Sequence, residues 1–157
     1  MRVVRLASQI DLAGWRAAAR ALRASATPPE AVAWSVADPG RLALAAPPLP
    51  APESDEGTRA FAVPKAFLSL AAAVVCHRAP ERFDRLYRLL WRLEREPRLL
   101  SLQTDPDVAQ AAAMAKAVSR ASHKMKAFVR FRKVEPPGGE GETYVAWFEP
   151  PHRVVER

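Results

Sequence analysis

Three histidines and one cysteine supply the imidazole and thiol groups of this chain: His77 beside Cys76, His123 and His152. Imidazole takes and gives a proton near neutral pH, and Glu149-Pro-Pro-His152 sets a carboxylate and an imidazole across a rigid turn. His123, Glu149 and His152 are therefore the candidates for acid–base chemistry, and the pattern behind them is thin. The His and Cys spacing matches no zinc motif. Cys76 closes an apolar run and reads as a small buried hydrophobe. His123 falls near the C-terminal end of an expected helix, where the helix dipole favours a cation. Gly138-Gly139 lies among acids that would repel phosphate, and no nucleophile elbow occurs. No metal and no cofactor are expected, and binding is the better-supported activity.

The binding chemistry is cationic. Lys124 to Lys133 holds five Lys or Arg in ten residues, and no Asp or Glu occurs from 108 to 134. The chain carries +7, distributed as +2 over 1–77, +8 over 78–133 and −3 over 134–157. Arg outnumbers Lys by 19 to 5, which inflates any Arg pattern, so Lys placement is the better guide. Four of the five Lys lie between 116 and 133. Such a concentration speaks to a polyanionic partner rather than to fold. The predicted nucleic-acid contacts are Lys116, Arg120, Lys124, Lys126, Arg130, Arg132 and Lys133.

The elements that must present these groups follow from periodicity. At 157 residues with 49% hydrophobic content, the chain can form one domain with a real core. MRVVRLA and AVAWSV (31–36) read as strands flanking a helix that Asp11 caps, DLAGWRAAARALRAS, with a turn at Asp38-Pro39-Gly40. The Pro-rich and acidic segment 46–60 reads as a linker or surface loop between a 1–45 β/α part and a 61–157 helical and hairpin part. Three helices follow, over about 64–77, 80–96 and 105–122. KAFVRFRKV (126–134) and TYVAWFE (143–149), joined by EPPGGEGE, read as a β-hairpin. The expected fold class is α+β.

Two basic surfaces emerge from this layout. On the 80–96 helix, Arg78, Arg82, Arg85, Arg88, Arg92 and Arg95 fall within about 140° of arc, opposite Phe83, Leu86, Tyr87, Leu90 and Leu93. That face reads first as solvated, with Asp84 and Glu94 at its border placed for local ion pairs. On the next helix, Lys116, Arg120 and Lys124 form a row about 12 Å long. Strand alternation then puts Phe128, Arg130 and Arg132 on one face and Ala127, Val129 and Phe131 on the other, with Phe128 directed to the core. The longest apolar run, 66–76, is too short to span a bilayer, and one cysteine fits a reducing compartment. A soluble, cytoplasmic protein that does not bind membranes is expected.

The strings VCHRAPERFDRLYRLLWRLEREPRLL (75–100), DPDVAQAAAMAKAV (105–118), HKMKAFVRFR (123–132) and YVAWFEPPHRVVER (144–157) resemble a bacterial family of unknown function. That family is associated with DNA metabolism and repair. It is encoded beside a radical-SAM protein and in some members is fused ahead of an X-type uracil-DNA glycosylase-like domain. The resemblance is close over about 61–157 and looser before it. It implies hallmark positions at His123, Lys124, Met125, Phe128, Arg130, Phe131 and Arg132, and at Trp147, Phe148, Glu149, Pro150, His152 and Val154. Members usually continue beyond the last motif, which implies that a chain ending at Arg157 is an excised or truncated domain. None of the glycosylase's own motifs is present.

Three functional expectations result. The first is a DNA-repair accessory domain that holds nucleic acid on its basic helix–hairpin surface. The second is a module that docks a radical-SAM or glycosylase-like partner through Tyr87 and Trp91. The third is an enzyme built on His123, Glu149 and His152.

Overall fold

The computed structural model describes residues 1–37, 62–134 and 142–154. The expected linker, the Asp38 turn and most of EPPGGEGE lie outside the described residues. Those described form an α+β fold with four α-helices and two small two-stranded sheets.

β1 (Arg2–Leu6) and β2 (Val32–Val36) pair in parallel, Arg2 opposite Val32 through Leu6 opposite Val36. Parallel neighbours need a crossover, and α1 (Leu12–Ala24) supplies it. Asp11 caps α1 by accepting the Gly14 N–H at 2.8 Å. Val4 and Leu6 are buried while Val3 and Arg5 are exposed, so the alternation of β1 gives the sheet one core face. Against it pack Trp15, Ala19 and Leu22 of α1, Phe67 and Val74 of α2 (Lys65–Val74), and Phe83, Leu86, Tyr87, Leu90 and Leu93 of α3 (Arg82–Leu93). Val108, Ala111 and Met114 complete this cluster from α4 (Pro106–Phe128).

α4 runs about one and a half turns beyond the expected end near Ser122. Its buried positions explain the extension: Val118 and Ala121 pack with Cys76 and Val154 in a second, smaller cluster, and Met125 packs against it. Met125 continues the same stripe at i+4, so helical packing overrides the β-like composition of 126–131. The expected strand pair is correspondingly reduced. β3 (Arg132–Val134) and β4 (Thr143–Val145) form an antiparallel ribbon with Arg132 opposite Val145, Lys133 opposite Tyr144 and Val134 opposite Thr143. Phe128 ends a helix rather than entering a strand, and at 65% exposed it is not in the core.

Candidate nucleic-acid interface

The two sets of cations meet different surroundings. On α3, Arg82 is only 2% exposed. On the helical wheel it is the arginine nearest the apolar stripe, beside Leu93, and burial follows from that position. Its guanidinium donates to the carbonyls of Val75 (3.0 Å), Ala79 (2.8 Å) and Gln9 (2.7 Å) and to Gln9 Oε1 (2.8 Å), and lies 4.3 Å from the Phe83 ring centroid. Burial lowers its pKa to about 10, with Arg153 adding to the effect. The next three arginines converge on the first turn of α4. Arg85 (3.3 Å), Arg88 (3.2 Å) and Arg92 (3.2 Å) donate to Asp107, and Arg92 also reaches Asp105 at 2.7 Å and Glu96 at 3.2 Å. Hydrogen bonds to Asp105 and then Glu96 raise the Arg92 pKa, and the bond from Arg92 holds the Asp105 carboxyl below its usual range.

Asp105 is at the same time the N-cap of α4, accepting the N–H groups of Asp107 (3.0 Å) and Val108 (3.1 Å). The solvated arginine face expected from the sequence is therefore largely an internal ion-pair seam between α3 and α4. Glu94 pairs not locally but with Arg23 of α1, at 2.6 Å. Tyr87 is fully buried, its hydroxyl donating to the Thr27 carbonyl at 2.7 Å, and Trp91 packs against the core; burial pushes the Tyr87 phenol up to about 12. The docking face expected at Tyr87 is thus core.

α4 carries the second set on its far half. Lys116, Arg120 and Lys124 are exposed and stand about 170°, 130° and 90° around the wheel from the stripe of Met114, Val118, Ala121 and Met125. His123 is exposed within this row. Lys126 points about 120° away from Arg120 and about 160° away from Lys124 on the wheel and leaves the row. No carboxylate among the described residues pairs with Lys116, Arg120, Lys124, Lys126, Arg130 or Arg132. Arg130 donates to the carbonyls of Ala127 (2.8 Å) and Val129 (3.2 Å) at the end of α4, where the helix dipole favours a cation. Lys133 departs from expectation, because it is paired with Glu142 across the ribbon. Lys133 and Tyr144 both donate to Glu142 and hold its pKa down, Lys133 more strongly. The exposed cations that no carboxylate among the described residues pairs are thus Lys116, Arg120, Lys124 and Lys126 on α4 and Arg130 and Arg132 after it.

The ribbon also exposes aromatic rings that sequence periodicity does not assign to binding. Phe131 is 69% exposed, Trp147 is 89% exposed, and Tyr144 is more than half exposed. The available signal is strand alternation in TYVAW without any partner face to cover it.

The acid–base candidates separate. Glu149 and His123 are exposed, whereas the ring that His152 meets is that of His77, with centroids 4.3 Å apart and planes inclined by 30°. The sequence offers no hint of this contact across 75 positions. His77 Nδ1 accepts the Ala79 N–H at 3.1 Å, which in the neutral ring leaves the proton on Nε2. His152 Nδ1 is buried with no partner among the described residues. Burial lowers both imidazole pKa values. Next in effect are His152, Arg78 and Arg82 around His77, opposed by Glu81, and Arg78 and Arg153 around His152. The adjoining Arg153 ties this segment down, its N–H donating to the Cys76 carbonyl (3.0 Å) and its Nη1 to that of His77 (2.9 Å). Among the described residues, no three His, Cys, Asp or Glu side chains converge to hold a metal ion. No helix among them is long and apolar enough to cross a membrane.

No curated protein and no solved structure matches the chain. The segment from α3 through α4, the ribbon and the His152 clasp is where a family match falls: residues 80–157 match the model of the DUF4130 family, a domain of unknown function.

Proposed function

We propose that this chain is a nucleic-acid-binding accessory domain that grips phosphates with the outer row of α4 and the base of the ribbon. The observation that carries the reading is a row of Lys116, Arg120 and Lys124, about 12 Å long, continued by Arg130 and Arg132. No carboxylate among the described residues opposes it. The contrast with α3 supports it. There the fold supplies Asp105, Asp107 and Glu96 to its arginines, so the lack of acids along the far half of α4 is not a general property of the chain.

Guanidinium groups present forked donors that suit phosphate oxygens, and ammonium groups act as point charges on the same track. The resemblance to a DNA-repair-associated family makes DNA the preferred polymer. A radical-SAM protein or a uracil-DNA glycosylase-like domain is then the kind of enzyme the domain would position. The test is fluorescence anisotropy with labelled oligonucleotides at two salt concentrations, using wild type and the Arg130→Glu/Arg132→Glu variant. Wild type should bind, more weakly as salt rises, and the variant should lose at least tenfold in affinity with its helical signal intact. Equal binding by the two proteins would remove the claim.

A further inference from the structure

The β3–β4 ribbon has a property that its charges do not explain. All six strand residues are exposed, so neither face packs on the core. A two-stranded ribbon with no covered face is marginal in water, and its large side chains contribute little to folding. Yet all the exposed large aromatic side chains among the described residues lie here or at its base: Phe128, Phe131, Tyr144 and Trp147. Trp15, Trp34, Phe67, Phe83 and Tyr87 are instead packed together in the core.

The register shows how rings and charges combine. Cross-strand partners share a face and alternate residues return to it, so Arg132, Val134, Thr143 and Val145 lie on one side and Lys133 and Tyr144 on the other. On the second side Glu142 engages both Lys133 and Tyr144. The first side keeps Arg132 without a carboxylate among the described residues, and Trp147, 89% exposed, lies two residues beyond Val145, the partner of Arg132. An exposed indole thus follows, two residues on, the cross-strand partner of an exposed arginine that no carboxylate among the described residues pairs.

Resting on the nucleic-acid reading above, we infer that the ligand is single-stranded: unpaired bases stack on Trp147, with Phe131 as a second ring, while Arg132 and the α4 row hold the phosphates. In a duplex the base faces are already covered by their neighbours, and an exposed indole meets only edges and backbone. In a single strand every base offers a free face, so ring stacking adds affinity without demanding a sequence. Charge complementarity favours this ligand over an apolar protein surface, because the rings are bordered by cations that a polyanion satisfies.

The experiment compares a 15-nucleotide mixed-sequence single strand with a blunt duplex of the same length, by anisotropy on the full chain. Trp147→Ala should weaken single-strand binding about five- to hundredfold and leave duplex binding and the salt slope unchanged. Trp147→Phe should restore most of the loss, Phe131→Ala should give a smaller defect of the same kind, and indole fluorescence should be quenched by the single strand. A Trp147→Ala protein that keeps its single-strand affinity, or loses as much on the duplex, overturns the inference while leaving the phosphate track standing. Wild type that binds neither oligonucleotide overturns both, and the apolar ribbon would then face a protein. Helical circular dichroism checks that each variant folds.

Discussion

The arginines of α3 and the basic residues of α4 occupy neighbouring helices, and both look like cationic stripes when drawn on a wheel. They differ in what the fold brings to them. α4 begins with Asp105 and Asp107, and these carboxylates are directed at Arg85, Arg88 and Arg92, so the near half of α4 neutralises α3. The far half of α4 leaves the main core and carries Lys116, Arg120 and Lys124 outward. One helix therefore has an acid-locked half and an open basic half. Charge density along a sequence cannot distinguish a structural ion-pair seam from a ligand-binding row. The location of the opposing carboxylate can.

The comparison breaks most sharply at Arg82. Arg82→Ala would leave the carbonyls of Val75, Ala79 and Gln9 without their donor in a buried site, and urea unfolding should show a loss of about 4 kcal/mol. Arg88→Ala, at a side chain about half exposed, should cost less than about 1 kcal/mol in the same assay. Asp107→Ala leaves Arg85 and Arg88 without the carboxylate they share and should lower stability by about 3 kcal/mol. Its affinity for oligonucleotides should stay within about twofold of wild type, because the seam is not the binding row.

The opposite pattern is expected on the far half. Replacing Lys116, Arg120 and Lys124 together by Gln should shift stability by no more than about 0.5 kcal/mol. The salt dependence of binding should flatten by about 0.7 to 0.9 log units per lost phosphate contact. A triple variant with an unchanged salt slope would show that these residues merely face solvent.

The smallest effect concerns the His77–His152 pair, which lies among Arg78, Arg82, Arg153 and Glu81. Both imidazole pKa values are lowered in the folded state, so the unfolded chain takes up protons first as pH falls. Stability from this source is fully present above about pH 6.5 and is lost as pH drops towards the folded-state values. Thermal melts of wild type between pH 7.5 and 5 should decline more steeply than those of the His77→Gln/His152→Gln variant. Parallel pH profiles would remove the linkage.

Much of the frame was legible in the residues. The Asp11 cap, the apolar stripe Phe83, Leu86, Tyr87, Leu90 and Leu93, and the two N-terminal strands are local patterns, and local patterns specify local structure. Contacts between distant residues were not legible. Asp107 lies 15 to 22 residues from the arginines it binds, beyond any i,i+4 rule, and His152 reaches His77 from the far end of the chain. The far end of α4 misled for another reason. From Lys126 to Phe131 the composition is β-like, and only the packing of Met125 beside Val118 and Ala121 shows why the helix continues. Within the candidate site, the cations were identifiable by type and the exposed rings were not, because exposure depends on whether another element covers the strand.

Val154 is buried beside Cys76, and Arg153 bonds the carbonyls of Cys76 and His77. The ribbon is therefore moored at both feet, to α4 on one side and to the end of α2 on the other. A single protease cut between the moorings should leave two fragments that travel together under native conditions and part only in denaturant. Removing the second mooring should free the Trp147 arm while sparing the helices beneath it.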